Sequence, residues 1–263
     1  MAFEPAILPN MLFSIVTVCF NSEAVIDAAA ASLAEQTCRD FEWVVVDGAS
    51  SDLTLERVES YEALPKKVLS EPDAGIYDAM NKALRLAEGE YVFFLNSDDR
   101  LHDAGVLDQV RALLLTCREP PDLVIGQVIQ VAGHVRTLRT YNHLSPRRLL
   151  FDSLCHQALF ARRTLFERFG DFDTRYRMSA DYDWLLRVVR GGGRIAHLAR
   201  PVAVFAADGA HSRHVELTRA EAFQIRANHG GRWELPVGYF VHGWYDKLRR
   251  GLGWPSVGRH PLR

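Results

Sequence analysis

The sequence predicts an α/β protein in which helices cover a mostly parallel central sheet, and three observations carry that expectation. From Phe13 to about Ile129, short β-branched runs alternate with stretches of helical period, the order a parallel sheet with helical crossovers requires. One run, Tyr91-Val92-Phe93-Phe94-Leu95, is apolar throughout rather than alternating, as expected of a strand buried on both faces. The 263 residues, 48% apolar and 24% charged, supply enough material for one large core.

Strands are predicted at residues 13–19 (FSIVTVC), 41–47 (FEWVVVD), 67–71 (KVLSE), 91–96 (YVFFLN) and 122–129 (DLVIGQVI), all rich in residues that pack well on a pleated surface. Residues 22–36, 53–63, 76–87 and 104–115 read as the intervening helices, and the first three crossovers are long enough for parallel pairing. Beyond Ile129 the pattern loosens. A hairpin around Gly133 (130–140) is expected, then helices near 146–152 and 163–169, a helix over 181–190, and strand-like runs at 194–198 and 202–206. A polar loop, DGAHSRH, opens a last helix near 215–229. Residues 1–235 are expected to form one domain of two halves, about 11–129 and 130–235, with 236–263 as an appendage.

The formal charge of −2, without a long run of one sign, leaves no electrostatic footprint for nucleic acid, and no such partner is expected. Cys19, Cys38, Cys117 and Cys155 stand far apart with no CxxC pair, which suits reduced thiols in a cytoplasmic protein. The first residues lack a basic region and a small-residue cleavage site. No apolar stretch reaches the roughly 20 residues that span a bilayer, so a soluble or at most peripheral protein is expected.

In open parallel sheets, ligands bind outside the carboxyl ends of the strands. All four such rims are polar here: Phe20-Asn21, Asp47 to Asp52, Glu71 to Gly75, and Asn96-Ser97-Asp98-Asp99. Neither GxxxxGK[ST] nor a GxGxxG after the first strand is present to cradle phosphate. Carboxylates where phosphate would sit point to a bridging Mn²⁺ or Mg²⁺, which prefers oxygen ligands and keeps substrate phosphates in its shell. Asp98 and Asp99 are the candidate ligands, against the alternative of a solvated turn and helix cap. Ser51 or Asp52 is better placed than Asp47 to cap the following helix, which leaves Asp47 to accept from a base or ribose. Asp73 and Gly75 are either turn residues or ligand contacts. Asn81 and Lys82 either face solvent or approach the ligand, Lys82 through a phosphate.

The ordered set SIVTVCFN, VVVDGASSDLT, SEPDAGIYDAMNKAL and GEYVFFLNSDD resembles the family 2 glycosyltransferases of the GT-A fold, a Rossmann-like architecture, and is similar to bacterial enzymes of surface-polysaccharide synthesis. The resemblance spans residues 14–212, roughly three quarters of the chain. It implies that Thr17 and Asn21 line a nucleotide pocket, that Asp47 contacts the base, and that Asp98 contacts metal and diphosphate with Asp99 beside it. The first position of the family's DxD-type motif is Asn96. The segment FGDFD…MSADYDWLLR resembles the family's catalytic segment, which makes Asp181 the base, with Ala180 where many members carry Glu. Asp183 is the fallback base. Cys155-His156-Gln157 is expected to place His156 and Gln157 toward the acceptor, and His211 is a candidate third metal or diphosphate contact. The implied activity is inverting transfer of a sugar from a nucleotide-diphosphate donor, most simply a UDP-sugar, to a saccharide or polyprenyl-linked saccharide. Near its end the chain reads YFVHGWYDKLRRGLGW, a basic, aromatic, amphipathic pattern that suits either an anionic inner-membrane surface or packing on the core.

Other readings remain open on these residues. A non-catalytic nucleotide-sugar binding module would keep Asp47 and Asp98 and have no need of Asp181. A receiver-like domain would place an acidic pair after the first strand, where this chain has Phe20-Asn21, and a nucleotidylyltransferase would place a basic glycine-rich loop there.

Overall fold

A computed structural model of the chain describes residues 11–142, 144–145, 148–150, 154–206 and 214–230, and the backbone of 259–262. Strands β1 (Phe13–Cys19), β2 (Phe41–Asp47), β3 (Lys66–Ser70) and β4 (Tyr91–Phe94) pair in parallel in the order β3-β2-β1-β4. Every residue of β1, β2 and β4 is buried, as the unbroken apolar run of β4 predicts. β3 forms the edge and is only half-buried, its Lys66 and Lys67 marking the strand that needs protection from further pairing. Helices α1 (Ile26–Ala34), α2 (Thr54–Ser60) and α3 (Ile76–Leu86) make the crossovers, and α4 (Val106–Thr116) follows β4 and the two-residue β5 (Arg100–Leu101).

Past β4 the sheet becomes mixed. The predicted hairpin forms from β6 (Leu123–Ala132) and β7 (Val135–Arg139), turning at Gly133. β8 (Leu159–Arg162), absent from the sequence expectations, lies antiparallel between β4 and β6. Its Phe160 stacks on Phe93 at 4.3 Å between ring centroids, tying the second half of the chain to the parallel core. The two strand runs expected at 194–198 and 202–206 are one bulged strand, β9 (Ile195–Ala206), parallel to β6. The register slips around Gly126, where an added Cβ would lie 2.5 Å from Val202 Cγ1. A glycine there lets the bulge pass Pro201 without breaking the strand.

α5 (Thr164–Phe169), α6 (Ala180–Arg190) and α7 (Val215–His229) complete the described residues, and the backbone of β10 (Arg259–Leu262) pairs with β7. The helix expected near 146–152 is represented by a 3-10 turn over Arg148–Leu150. Phe172, from the loop between α5 and α6, joins an aromatic cluster with Tyr77 (5.5 Å), Phe94 (5.3 Å), Phe166 (5.4 Å) and Trp184 (6.0 Å). That cluster fastens α6 against α3 and β4, and so fixes where the start of α6 points. Among the described residues no helix is long and apolar enough to cross a membrane. His211 and its loop, and the basic aromatic pattern near the end of the chain, lie outside the described residues.

Candidate active site

At the end of β2, Asp47 is fully buried. Its carboxylate accepts from Ser50 N at 2.9 Å, from the Ser50 hydroxyl and from Ser70 Oγ at 2.7 Å. The acceptor expected for a base or ribose therefore shapes the β2–α2 loop. The neighbouring Cys19 thiol is pushed up to about 12 by burial and by the Asp47 charge, so it stays protonated. Asn21, in a left-handed conformation (φ 45), cross-links the first two rims: its N–H donates to Ser50 Oγ at 2.8 Å and its Oδ1 accepts from Ser51 N at 3.0 Å. Asp52 accepts from Thr54 N at 3.0 Å just ahead of α2, whose N-cap is Leu53 rather than Ser51 or Asp52. Thr17 lies wholly inside the sheet, where its hydroxyl accepts from Trp43 Nε1 at 2.9 Å. Its bonding serves the core.

The third rim is a tight turn. Asp73 Oδ1 accepts from Gly75 N at 2.8 Å, and Gly75, at φ 126, leads into α3. Asp73 Oδ2 packs so closely on Gly48 that a Cβ there would lie 2.6 Å away, so Gly48 is what lets these rims meet. Lys82 is committed to this turn. It donates to Pro72 O at 2.7 Å and pairs with Glu71 at 2.9 Å and Asp78 at 3.5 Å, rather than reaching toward a phosphate. Asn81 likewise turns inward. Its amide donates to Phe172 O at 2.9 Å and accepts from Phe172 N at 3.0 Å, holding the aromatic cluster.

The fourth rim bends through Asp99 N donating to Asn96 O at 3.1 Å. The turn leaves Asp98 exposed and buries Asp99. Burial, then the adjacent Asp98 charge, raise the Asp99 carboxyl to about 7. Asn96 Oδ1 is buried with no hydrogen-bond partner. Among the described residues no three His, Cys, Asp or Glu side chains converge as a metal site. Asp98, Asp99 and Asn96 Oδ1 offer only oxygen, the donor type that a hard divalent cation takes.

Across the sheet, the residues after Cys155 form a 3-10 turn, His156–Ala158. Gln157 Nε2 donates to Asp99 Oδ2 at 2.8 Å. One residue earlier, His156 Nδ1 lies 3.2 Å from Asp181 Oδ2 at the start of α6. Tyr77 Oη on α3 donates to Asp181 Oδ1 at 2.8 Å. Consecutive residues of one turn thus hold the two acidic corners together. Asp183, the alternative base, is instead buried between Arg187 (2.9 Å) and His229 (2.8 Å). Glu221 on α7 accepts from Arg177 N at 2.8 Å and Met178 N at 2.9 Å, bracing the approach to α6.

Tyr77 and Phe20 were not singled out by sequence reasoning. Tyr77 occupies an apolar helix face that reads as core. Phe20, 62% exposed beside Gly48, had one available signal: a large aromatic immediately past a strand end, where a polar rim residue is usual.

A sequence profile of Glycosyl transferase family 2 matches residues 14–174. This chain belongs to glycosyltransferase family 2. The family 2 chain is 41% identical over 180 residues to a PGL/p-HBAD biosynthesis glycosyltransferase of Mycobacterium tuberculosis, covering 67% of this chain and 69% of the relative. Its fold, GT-A, is shared with S. aureus TarS solved with UDP-GlcNAc (TM-score 0.67, 24% identity, 83% of this chain and 66% of that one). It is shared too with the Pyrobaculum calidifontis mannosyltransferase solved with GDP-Man and Mn²⁺ (TM-score 0.62, 24% identity, 85% and 66%). The TarS structure with UDP is spanned over 65% of its length. The protein is a transferase enzyme of this family; Asn96–Asp99 lies within the matched residues and Asp181 beyond them.

Proposed function

We propose that this family 2 enzyme moves a sugar, with inversion, from a nucleotide-diphosphate donor to a saccharide or lipid-linked saccharide at the cytoplasmic face of the membrane, in the synthesis of a surface glycan. A UDP-sugar is the favoured donor. The observation that carries the reading is the Asp181 carboxylate, held by Tyr77 and His156 and joined through Gln157 to the Asp99 corner.

Asp181 takes the acceptor hydroxyl proton while the acceptor oxygen bonds to the anomeric carbon. The bond from that carbon to the phosphate oxygen breaks, and its electron pair leaves on the nucleoside diphosphate. One displacement inverts the anomeric centre and needs no covalent enzyme intermediate. Asp98, with Asp99 and Asn96 Oδ1, would hold a Mn²⁺ or Mg²⁺, which supplies charge neutralisation for the diphosphate. Phe20 offers a flat exposed face on which the base stacks. Asn21 and Asp47 keep the loop around that face fixed, so donor and acceptor meet in line. The UDP and GDP-Man complexes of the TarS and mannosyltransferase neighbours, and the Mn²⁺ of the latter, support this reading.

The test is a screen of UDP-, GDP- and dTDP-sugars for binding and hydrolysis with Mn²⁺ or Mg²⁺. At least one donor is expected to bind in a metal-dependent way and to release nucleoside diphosphate. Failure of every donor to bind or hydrolyse, with and without metal, would overturn the proposal.

A further inference from the structure

We propose that His156 is a positioning residue for the base: together with Tyr77 it grips the Asp181 carboxylate from two elements and sets the direction in which that carboxylate meets an acceptor hydroxyl. The inference rests on the reading of Asp181 as base and names what holds it.

An aspartate carboxylate turns about a soft terminal torsion with broad, roughly two-fold preferences. A helix start alone does not fix it. Here the two oxygens are held separately, Oδ1 by Tyr77 Oη at 2.8 Å and Oδ2 by His156 Nδ1 at 3.2 Å. Tyr182 N adds a bond to Oδ1 at 2.9 Å. Rotation of the carboxylate would break bonds to both sides at once. Tyr77 is a dependable donor, because burial and the Asp181 charge keep its phenol protonated far above the usual range.

The imidazole tautomer follows from its partners. A carboxylate accepts, so Nδ1 carries the proton, and in neutral imidazole Nε2 then carries the lone pair. Nε2 is buried and has no hydrogen-bond partner. His156 therefore orients the carboxylate, and the transferred proton ends on Asp181. The same turn carries Gln157, bonded to Asp99 at 2.8 Å, so the residue that aims the base is covalently adjacent to the residue that holds the donor-side acid. His156 thereby couples base direction to donor geometry.

The experiment compares full-length H156N, H156Q, Y77F and D181N, reading nucleoside diphosphate release from whichever of UDP-glucose, UDP-N-acetylglucosamine, GDP-mannose and dTDP-glucose the parent turns over fastest. The amide nitrogen of Asn falls near the place of Nδ1, whereas that of Gln falls near Nε2. H156N is expected to keep kcat within about threefold of the parent, while H156Q and Y77F lose kcat by roughly 10- to 100-fold with donor KM unchanged, as for an interaction made in the transition state. Unfolding temperatures measured in parallel separate any loss of fold, and Y77F keeps the ring that packs on Phe172 at 5.5 Å. Parent-like kcat in H156Q and Y77F, or equal losses in H156N and H156Q, would overturn the positioning role while leaving the base in place. Parent-like turnover in D181N would instead remove the base assignment, and this inference with it.

Discussion

Asn81 separates a ligand contact from a structural clamp. Its side chain is buried and exchanges two hydrogen bonds with the Phe172 backbone, at 2.9 and 3.0 Å. Asn81→Ala deletes both partners and leaves a buried N–H and a buried C=O unpaired. Each unsatisfied group costs about 1–3 kcal/mol, and partial relaxation brings the pair to roughly 2–4 kcal/mol. At roughly 2–4 °C per kcal/mol for a chain of this size, the midpoint falls by roughly 5–15 °C. The assay is thermal unfolding by calorimetry, with donor titration well below the variant's midpoint. Donor affinity is expected to stay at the parent's value. An unchanged midpoint with donor affinity weakened tenfold would refute the clamp and return Asn81 to the ligand site.

Gln157→Leu strips the donor from a carboxylate that is 2% exposed and is expected to lower stability by about 1.5–3 kcal/mol in urea unfolding. Asp98→Asn is expected to weaken donor binding at least about tenfold in Mn²⁺ but little in EDTA, as read by titration calorimetry. Gly48→Ala puts a methyl 2.6 Å from Asp73 Oδ2; Asp73 must move, and donor KM should rise with little change in unfolding temperature. For Asp183, burial opposes ionisation, but the His229 and Arg187 bonds prevail and hold the carboxyl below 3.8. The stability it contributes is therefore full above pH 3.8 and is lost as pH falls through the folded value. Asp183→Asn should cost stability at pH 7, and its gap to the parent in urea midpoint should close in acid.

The parallel half was legible because its β-branched runs alternate with helical patterns, and the runs at 13–19 and 41–47 begin and end where β1 and β2 do. α7 was legible for another reason: it opens after a polar loop, DGAHSRH. β8 was not, since four residues between a 3-10 turn and a helix carry no period. β9 read as two strands because Pro201 marks a break that the bulge opposite Gly126 absorbs.

The acids of the site could be found by position, since strand ends are where ligands meet a parallel sheet. Their partners could not. Tyr77 and His156 are 104 and 25 residues from Asp181, and no local pattern records such a meeting. Asn81 and Lys82 show the same limit from the other side. On a helix of known period a polar residue reads as solvent-facing or ligand-facing, and only the packed loop reveals that Phe172 and Pro72 claim them.

The most direct test of the central claim is Asp181→Asn, assayed for donor affinity and for transfer in the same preparation. The substitution preserves shape and removes the basic oxygen, so donor affinity should hold while kcat falls on the order of 10²- to 10⁴-fold, the contribution of a general base. Transfer at the parent's rate would contradict the account, and loss of donor affinity in step with kcat would show that Asp181 serves binding instead.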